Sequence, residues 1–348
     1  MPCRKSQTRR EKDKRTSSKA ALEHAARIVY PICCLAGSPG LLDEIQSEGA
    51  DKTLRACIED RDTAGLFDWL IRALSYQGVS DAAAFSYMDR HGSVTWAEIE
   101  SGLARTPPCP KLTSYWSFDR CGYSKWKQTC ACPEYFARCP VPRHRLRNGR
   151  LNQTAYSLFL FLRDVAGADL VGWIDERLTL HAGRANASVA VLRIALLGPL
   201  AHVYGIADKV LSMAFASVLL ATPVERNRWR ELGASLIAVD SLVHKLLHRT
   251  GILQRFGAEH SFGPACYMPN GCAEIVAKVA RKIDARQFNP KFTRLLPRFV
   301  QHAIWRFCAQ DGLNICNSIR IADLERCADI YCRVYRVCDR VPIKRKTT

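Results

Sequence analysis

Residues 197–251 read LGPLAHVYGIADKVLSMAFASVLLATPVERNRWRELGASLIAVDSLVHKLLHRTG. An apolar run ends at His202, Val203, Tyr204, Gly205, Ile206 and Ala207. A second run follows, with Val210, Leu211, Met213, Ala214, Val218 and Leu219 at helical spacing. The pattern predicts two helices joined by a tight turn that contains one glycine. The second helix is expected to start near Asp208, so its free backbone N–H groups point out of the turn, an arrangement that attracts a phosphate. Asp240 follows Lys209 at an interval of 31 positions, between the apolar run Leu236–Val239 and a new amphipathic helix, Leu242–Leu247. A lysine beside a phosphate-binding turn and an aspartate at a helix start form a candidate catalytic pair. Asp240, His244 and His248 fall at i, i+4 and i+8. Three ligands over two turns are stretched for a single ion, so a metal site there is disfavoured.

The rest of the chain suits a polyanionic partner. It has 51 Lys plus Arg against 33 Asp plus Glu, a net charge of +18, which puts nucleic acid first and an anionic membrane surface second. With 348 residues and 48% hydrophobic residues the chain can build a large core. No apolar run reaches the roughly 18 residues of a membrane span, and MPCRKSQTRREKDKR at the start has no apolar signal core behind it. A cytoplasmic protein is expected. Residues 1–22 are expected to be a disordered basic arm, since residues 1–19 carry eight Lys or Arg and almost nothing apolar.

Residues 20–62 read as helices broken at Pro31 and at Gly37-Ser38-Pro39-Gly40. Residues 65–80 read as an amphipathic helix ending in Leu74-Ser75-Tyr76-Gln77-Gly78-Val79-Ser80. A second helix, Asp81 to Arg90, stops at His91-Gly92. Leu151 to Leu178 is helical with a break at Ala166-Gly167.

Between them, residues 107–145 are rich in proline and hold Cys121, Cys130, Cys132 and Cys139 in a C-x8-C-x-C-x6-C run. Sixteen cysteines are many for a reducing compartment, where clustered thiols suggest metal ligands rather than disulfides. Four within 19 residues of irregular chain suit one tetrahedral zinc or one [4Fe–4S] cube. Cys109 is a substitute ligand. Directly after comes Arg143-His144-Arg145-Leu146-Arg147, expected to contact phosphate through Arg143, Arg145 and Arg147. Leu324, Cys327, Ile330, Tyr331, Val334, Tyr335 and Cys338 read as the buried stripe of a helix, while Cys266 and Cys272 sit in a loop with glycine and proline.

The order of these motifs resembles the helix-hairpin-helix DNA glycosylases of the endonuclease III superfamily. Val203-Tyr204-Gly205-Ile206-Ala207-Asp208-Lys209-Val210 is similar to the family's L-P-G-[VI]-G-x-K-T-A turn. Val239-Asp240-Ser241-Leu242-Val243 is similar to its V-D-T-H-[VI] motif, and Leu74–Ser80 to its L-S-Q-Q-T-S helix end. Ala207 replaces the second hairpin glycine, Tyr204 replaces proline, and residues 222–231 look like an insertion.

Helical periodicity outside residues 107–150 predicts an all-α fold; the resemblance implies a helix-hairpin-helix core, here with an unfamiliar cysteine-rich insertion and a helical C-terminal extension. It implies a DNA base-excision glycosylase, with AP lyase activity where Lys209 is the nucleophile and Asp240 assists glycosidic cleavage. Gln77 would lie near the gap left by a flipped base, and Tyr204, Gly205, Ile206 and Ala207 would meet the backbone of double-stranded DNA. The resemblance also favours a [4Fe–4S] cluster over Zn2+. The family spacing is C-x6-C-x2-C-x5-C, C-terminal to the aspartate; here only the final interval, Cys332 to Cys338, matches there. The alternative function is a non-catalytic hairpin DNA-binding protein with a structural metal centre. The expected segments are the arm, N-terminal helices 23–106, the insertion 107–150, a core 151–260 and a helical region 261–348, in a monomer.

Overall fold

A computed structural model describes residues 4–47, 53–105, 109–119, 121–123, 129–182, 188–223 and 225–343. The basic tail at 344–346 and the first three residues of the arm lie outside them. Among the described residues every regular element is helical and none is a strand, so the all-α expectation holds. None of these helices is long and apolar enough to cross a membrane.

The chain forms two compact units. One is continuous, Leu42–Gly233; the other joins the two ends of the chain, Met1–Leu41 and Ala234–Thr348. These units cut across the five consecutive segments expected above, because helices distant in sequence share one core.

In the continuous unit, local side chains set the helix starts. Asp62 caps Thr63–Leu74 by accepting the Gly65 N–H at 2.9 Å. Ser80 caps Asp81–His91. Thr95 and Glu98 form a reciprocal capping box at Trp96–Arg105, with Thr95 N–H to Glu98 Oε2 at 2.7 Å and Glu98 N–H to Thr95 Oγ1 at 3.3 Å. The helix Asn152–Leu160 is buried on all sides, as a helix at the centre of a bundle must be. Phe159 on it meets Trp96 and Phe67, with ring centroids 4.2 and 6.2 Å apart. It continues as a single π turn, Phe161–Val165, and the expected break follows at Ala166-Gly167, where Gly167 and Ala168 have positive φ.

The hairpin forms where the periodicity placed it. Val189–Leu200 leads into the turn 201–207, and Asp208–Leu220 follows. The second half of the expected insertion, 222–231, falls in the short helix Asn227–Ser235. Residues 109–150 hold only the 3-10 turn Pro110–Leu112 and the short helix Tyr115–Asp119 as regular structure among the described residues, consistent with their proline content.

The unit of the chain ends corrects three expectations. Helix already runs from Arg4 to Ala36, not from residue 23, because the eight Lys and Arg of the arm, with Gln7, Glu11, Ala20, Ala21 and Leu22, are good helix formers despite the charge. The same helix passes through Pro31 instead of breaking there. It packs on Pro297–Cys308, which also packs on Ser241–Arg249. These contacts outweigh the backbone bond that one proline removes.

The third correction concerns the C-terminus. Residues 315–343 are turns and irregular chain without a helix. The supposed stripe has Leu324, Ile330 and Tyr331 at 53, 64 and 89% exposure. This segment is held from outside: Val341 N–H donates to the Arg249 carbonyl at 2.8 Å, and Asp339 pairs with Arg255 at 2.7 Å.

Candidate functional site

The hairpin turn is built on a glycine and a glutamine. Gly205 has φ +76°, a left-handed backbone that glycine adopts without strain, and a Cβ there would meet Thr154 Oγ1 at 2.9 Å. Gln77 bridges the turn. Its Oε1 accepts the Ala207 N–H at 3.0 Å, and its Nε2 donates to the Gly205 carbonyl. Tyr204 anchors the other side, with its N–H on Ser157 Oγ at 2.9 Å and its hydroxyl donating to the Tyr123 carbonyl at 2.7 Å. Ile206 is half-buried, and Gly205 and Ala207 are exposed.

The helix that starts at Asp208 has no side-chain cap. Its first N–H groups thus lack the partner that Ser80 or Asp62 supplies elsewhere, and its positive end faces an exposed turn. Lys209, half-buried, is the second residue of that helix.

The arginine patch divides. Arg143 and Arg145 are exposed. Arg147 is buried, donates to the Gln77 carbonyl at 2.5 Å and to the Ser75 carbonyl at 3.4 Å, and lies over the Tyr87 ring. Its guanidinium faces the protein, so it supports the backbone of Gln77 and is not placed to meet phosphate.

Asp240 starts the helix Ser241–Arg249 as its N-cap, accepting the Val243 N–H at 2.8 Å. Lys209 belongs to the continuous unit and Asp240 to the unit of the chain ends.

Cysteines gather in three places. Cys121, Cys130, Cys132 and Cys139 line one enclosed cavity together with Cys109. The Cys132 N–H donates to Cys130 Sγ at 3.4 Å, and Gln153 Nε2 donates to Cys139 Sγ at 3.7 Å. Burial pushes the Cys109 and Cys121 thiols up, and the neighbouring Cys139 and Cys130 add to it.

The second gathering takes in Cys327 and Cys338, which the sequence pattern assigns to a helical stripe. Cys316, Cys327, Cys332 and Cys338 line another enclosed cavity, beside Arg249. Burial raises Cys338 to about 12, with Cys316, Cys332 and Cys327 adding to the shift. The available signal was the C-x5-C interval of Cys332 and Cys338, masked by residues that also fit a helical stripe.

The third group is His244, His260, Cys266 and Cys272, whose ligand atoms all lie within 4.8 Å of one another. Such a set is spaced to hold a metal ion. Among the described residues no three cysteines of either cavity draw together so closely. The sequence spacing groups His244 with Asp240 and His248; its ring turns instead to the two thiols. His260, alone in a loop, carried no signal in the sequence.

Compared with protein-family profiles, curated proteins and solved structures, the chain matches none.

Proposed function

We propose that this chain is a DNA base-excision glycosylase that grips the duplex through its hairpin. The observation that carries the reading is the uncapped start of the helix Asp208–Leu220 behind an exposed turn braced by Gln77. A net charge of +18 supplies long-range attraction to the phosphates. Exposed Arg143 and Arg145 extend the contact surface.

In this reading the Lys209 amine attacks the sugar C1′ as the glycosidic bond breaks, and the base leaves with the bonding electrons. Loss of the sugar-ring oxygen bond then yields a Schiff base. Asp240 stabilises the positive charge that develops on the sugar. A [4Fe–4S] cluster serves as a structural centre. Each cavity is lined by at least four cysteines, the ligand number that a cube or a single zinc takes. The set Cys316, Cys327, Cys332 and Cys338 lies C-terminal to Asp240, as the resemblance implies; Cys121, Cys130, Cys132 and Cys139 are the alternative ligands, with zinc as the alternative metal.

A second reading, a hairpin DNA-binding protein without catalysis, is favoured by one observation. The Asp240 carboxylate is engaged as a helix cap. Purified protein incubated with duplexes that each carry a single lesion separates the two. Excision of one base, with a borohydride-trapped adduct lost in Lys209→Gln, supports the enzyme. Tight binding with no excision across the panel supports the second reading.

A further inference from the structure

We propose that His244, His260, Cys266 and Cys272 form a structural zinc site that holds the loop 257–271 against the helix led by Asp240. The four ligands come from four places: the helix Ser241–Arg249, the loop at His260, the 3-10 turn Pro264–Tyr267, and the first residue of the helix Cys272–Ala280.

The spacing is that of a single tetrahedral ion. With Zn–N about 2.0–2.1 Å and Zn–S about 2.3 Å, tetrahedral geometry puts a nitrogen and a sulfur roughly 3.6 Å apart. Three such separations are found. His244 Nδ1 lies 3.3 Å from Cys272 Sγ and 3.5 Å from Cys266 Sγ, and His260 Nε2 lies 3.4 Å from Cys272 Sγ. Two irons bridged by sulfide would hold the same ligands further apart.

The surroundings suit metal binding. His260 Nδ1 lies 2.7 Å from the Ala258 carbonyl, so it carries the proton and leaves the Nε2 lone pair for the ion. Cys272 opens a helix, so its sulfur sits at the positive end of the dipole, where a metal-bound thiolate is well placed. Cys266 and Cys272 are fully buried and His244 nearly so. Two thiolates and two neutral imidazoles around Zn2+ carry no net charge, so the group can be buried at little electrostatic cost.

The loop is shaped to close on this point. Gly263 has φ +146°, and a Cβ on Gly271 would collide with the Ala265 and Cys266 carbonyls. Four protein ligands leave no open position, which makes the site structural. His244 donates its backbone N–H to the Asp240 carbonyl at 3.1 Å, so the ion fixes the first turn of the helix that Asp240 caps. The inference does not depend on the DNA reading.

The test is metal analysis of the full chain, purified without added metal, alongside His260→Gln and Cys272→Ser. Each variant should lose one equivalent of zinc relative to the unaltered chain. X-ray absorption at the zinc edge should find nitrogen and sulfur ligands, and cobalt replacement should give the ligand-field bands of a tetrahedral site. Unchanged zinc content in both variants would overturn the proposal, as would a Cys266–Cys272 disulfide in a zinc-free chain. Should either variant fail to fold, alkylation of the unaltered chain decides. Cys266 and Cys272 should react faster after chelation, and equal rates before and after reject the site.

Discussion

Gln77 and Ala207, 130 positions apart, are joined by a hydrogen bond of 3.0 Å from the Ala207 N–H to the Gln77 side-chain oxygen. The same side chain donates to the Gly205 carbonyl. The residue expected beside DNA therefore also braces the turn expected to bind it. Gln77→Ala should loosen the turn by the worth of these exposed bonds, about 1 kcal/mol. A fall in duplex affinity of about fivefold is expected by fluorescence anisotropy. Undiminished affinity would mean that the brace is irrelevant to binding.

Arg147 should behave unlike its two neighbours. Arg147→Ala removes the donor to the Ser75 and Gln77 carbonyls and should cost about 2 kcal/mol in a urea melt. Arg143→Ala and Arg145→Ala, at exposed positions, should cost less, at most about 1 kcal/mol. If each contacts one phosphate, each should reduce the slope of log affinity against log salt by about 0.9. A flattened slope for Arg147→Ala alone would reverse this division.

Asp240 has two separable roles to test. Asp240→Ala removes the cap to the Val243 N–H and should destabilise the protein by about 1 kcal/mol. Asp240→Asn keeps a capping oxygen but loses the charge. It should melt close to the unaltered protein while excision falls steeply and DNA affinity is retained. Full excision by Asp240→Asn would leave the aspartate a cap only.

The two cysteine-lined cavities can be told apart by colour and by iron. Anaerobically purified protein should be brown if a cluster is bound. Cys332→Ser should bleach it if the C-terminal cavity holds the cluster; Cys132→Ser should do so if the insertion does. Colourless protein with zinc lost in Cys132→Ser would assign zinc to the insertion.

Acid should weaken the fold through His302. Burial, then the charges of Arg298 and Arg306, push its folded value down to about 3. The unfolded chain takes up a proton at about 6.5 that the folded chain refuses. Stability from this group is therefore complete above about pH 6.5 and is lost as pH falls from there toward 3, by roughly 2 kcal/mol at pH 5. Urea melts at pH 7 and pH 5 should show a smaller acid loss for His302→Gln than for the unaltered chain. Parallel slopes would place the titration elsewhere.

Helix positions were readable because their causes are local. Val210 to Leu219 at helical spacing, Ser80 before Asp81 and Asp240 before Ser241 carry periodicity and caps within a few residues of each helix start. The glycine at position 205 marked the turn for the same reason. Local pattern also misled: Leu324 to Cys338 repeats like a buried helix, yet long-range bonds such as Val341 to Arg249 hold that segment in turns. Only tertiary structure turned Arg147 inward, since its partners at Ser75 and Gln77 lie some 70 positions away. Only tertiary structure brought His260 to His244, Cys266 and Cys272. A ligand set depends on where separate elements pack, and packing leaves no spacing rule in a single chain. The sequence by itself determined the all-helical class, the helices with local start signals and the basic charge; the fold decided which side chains meet.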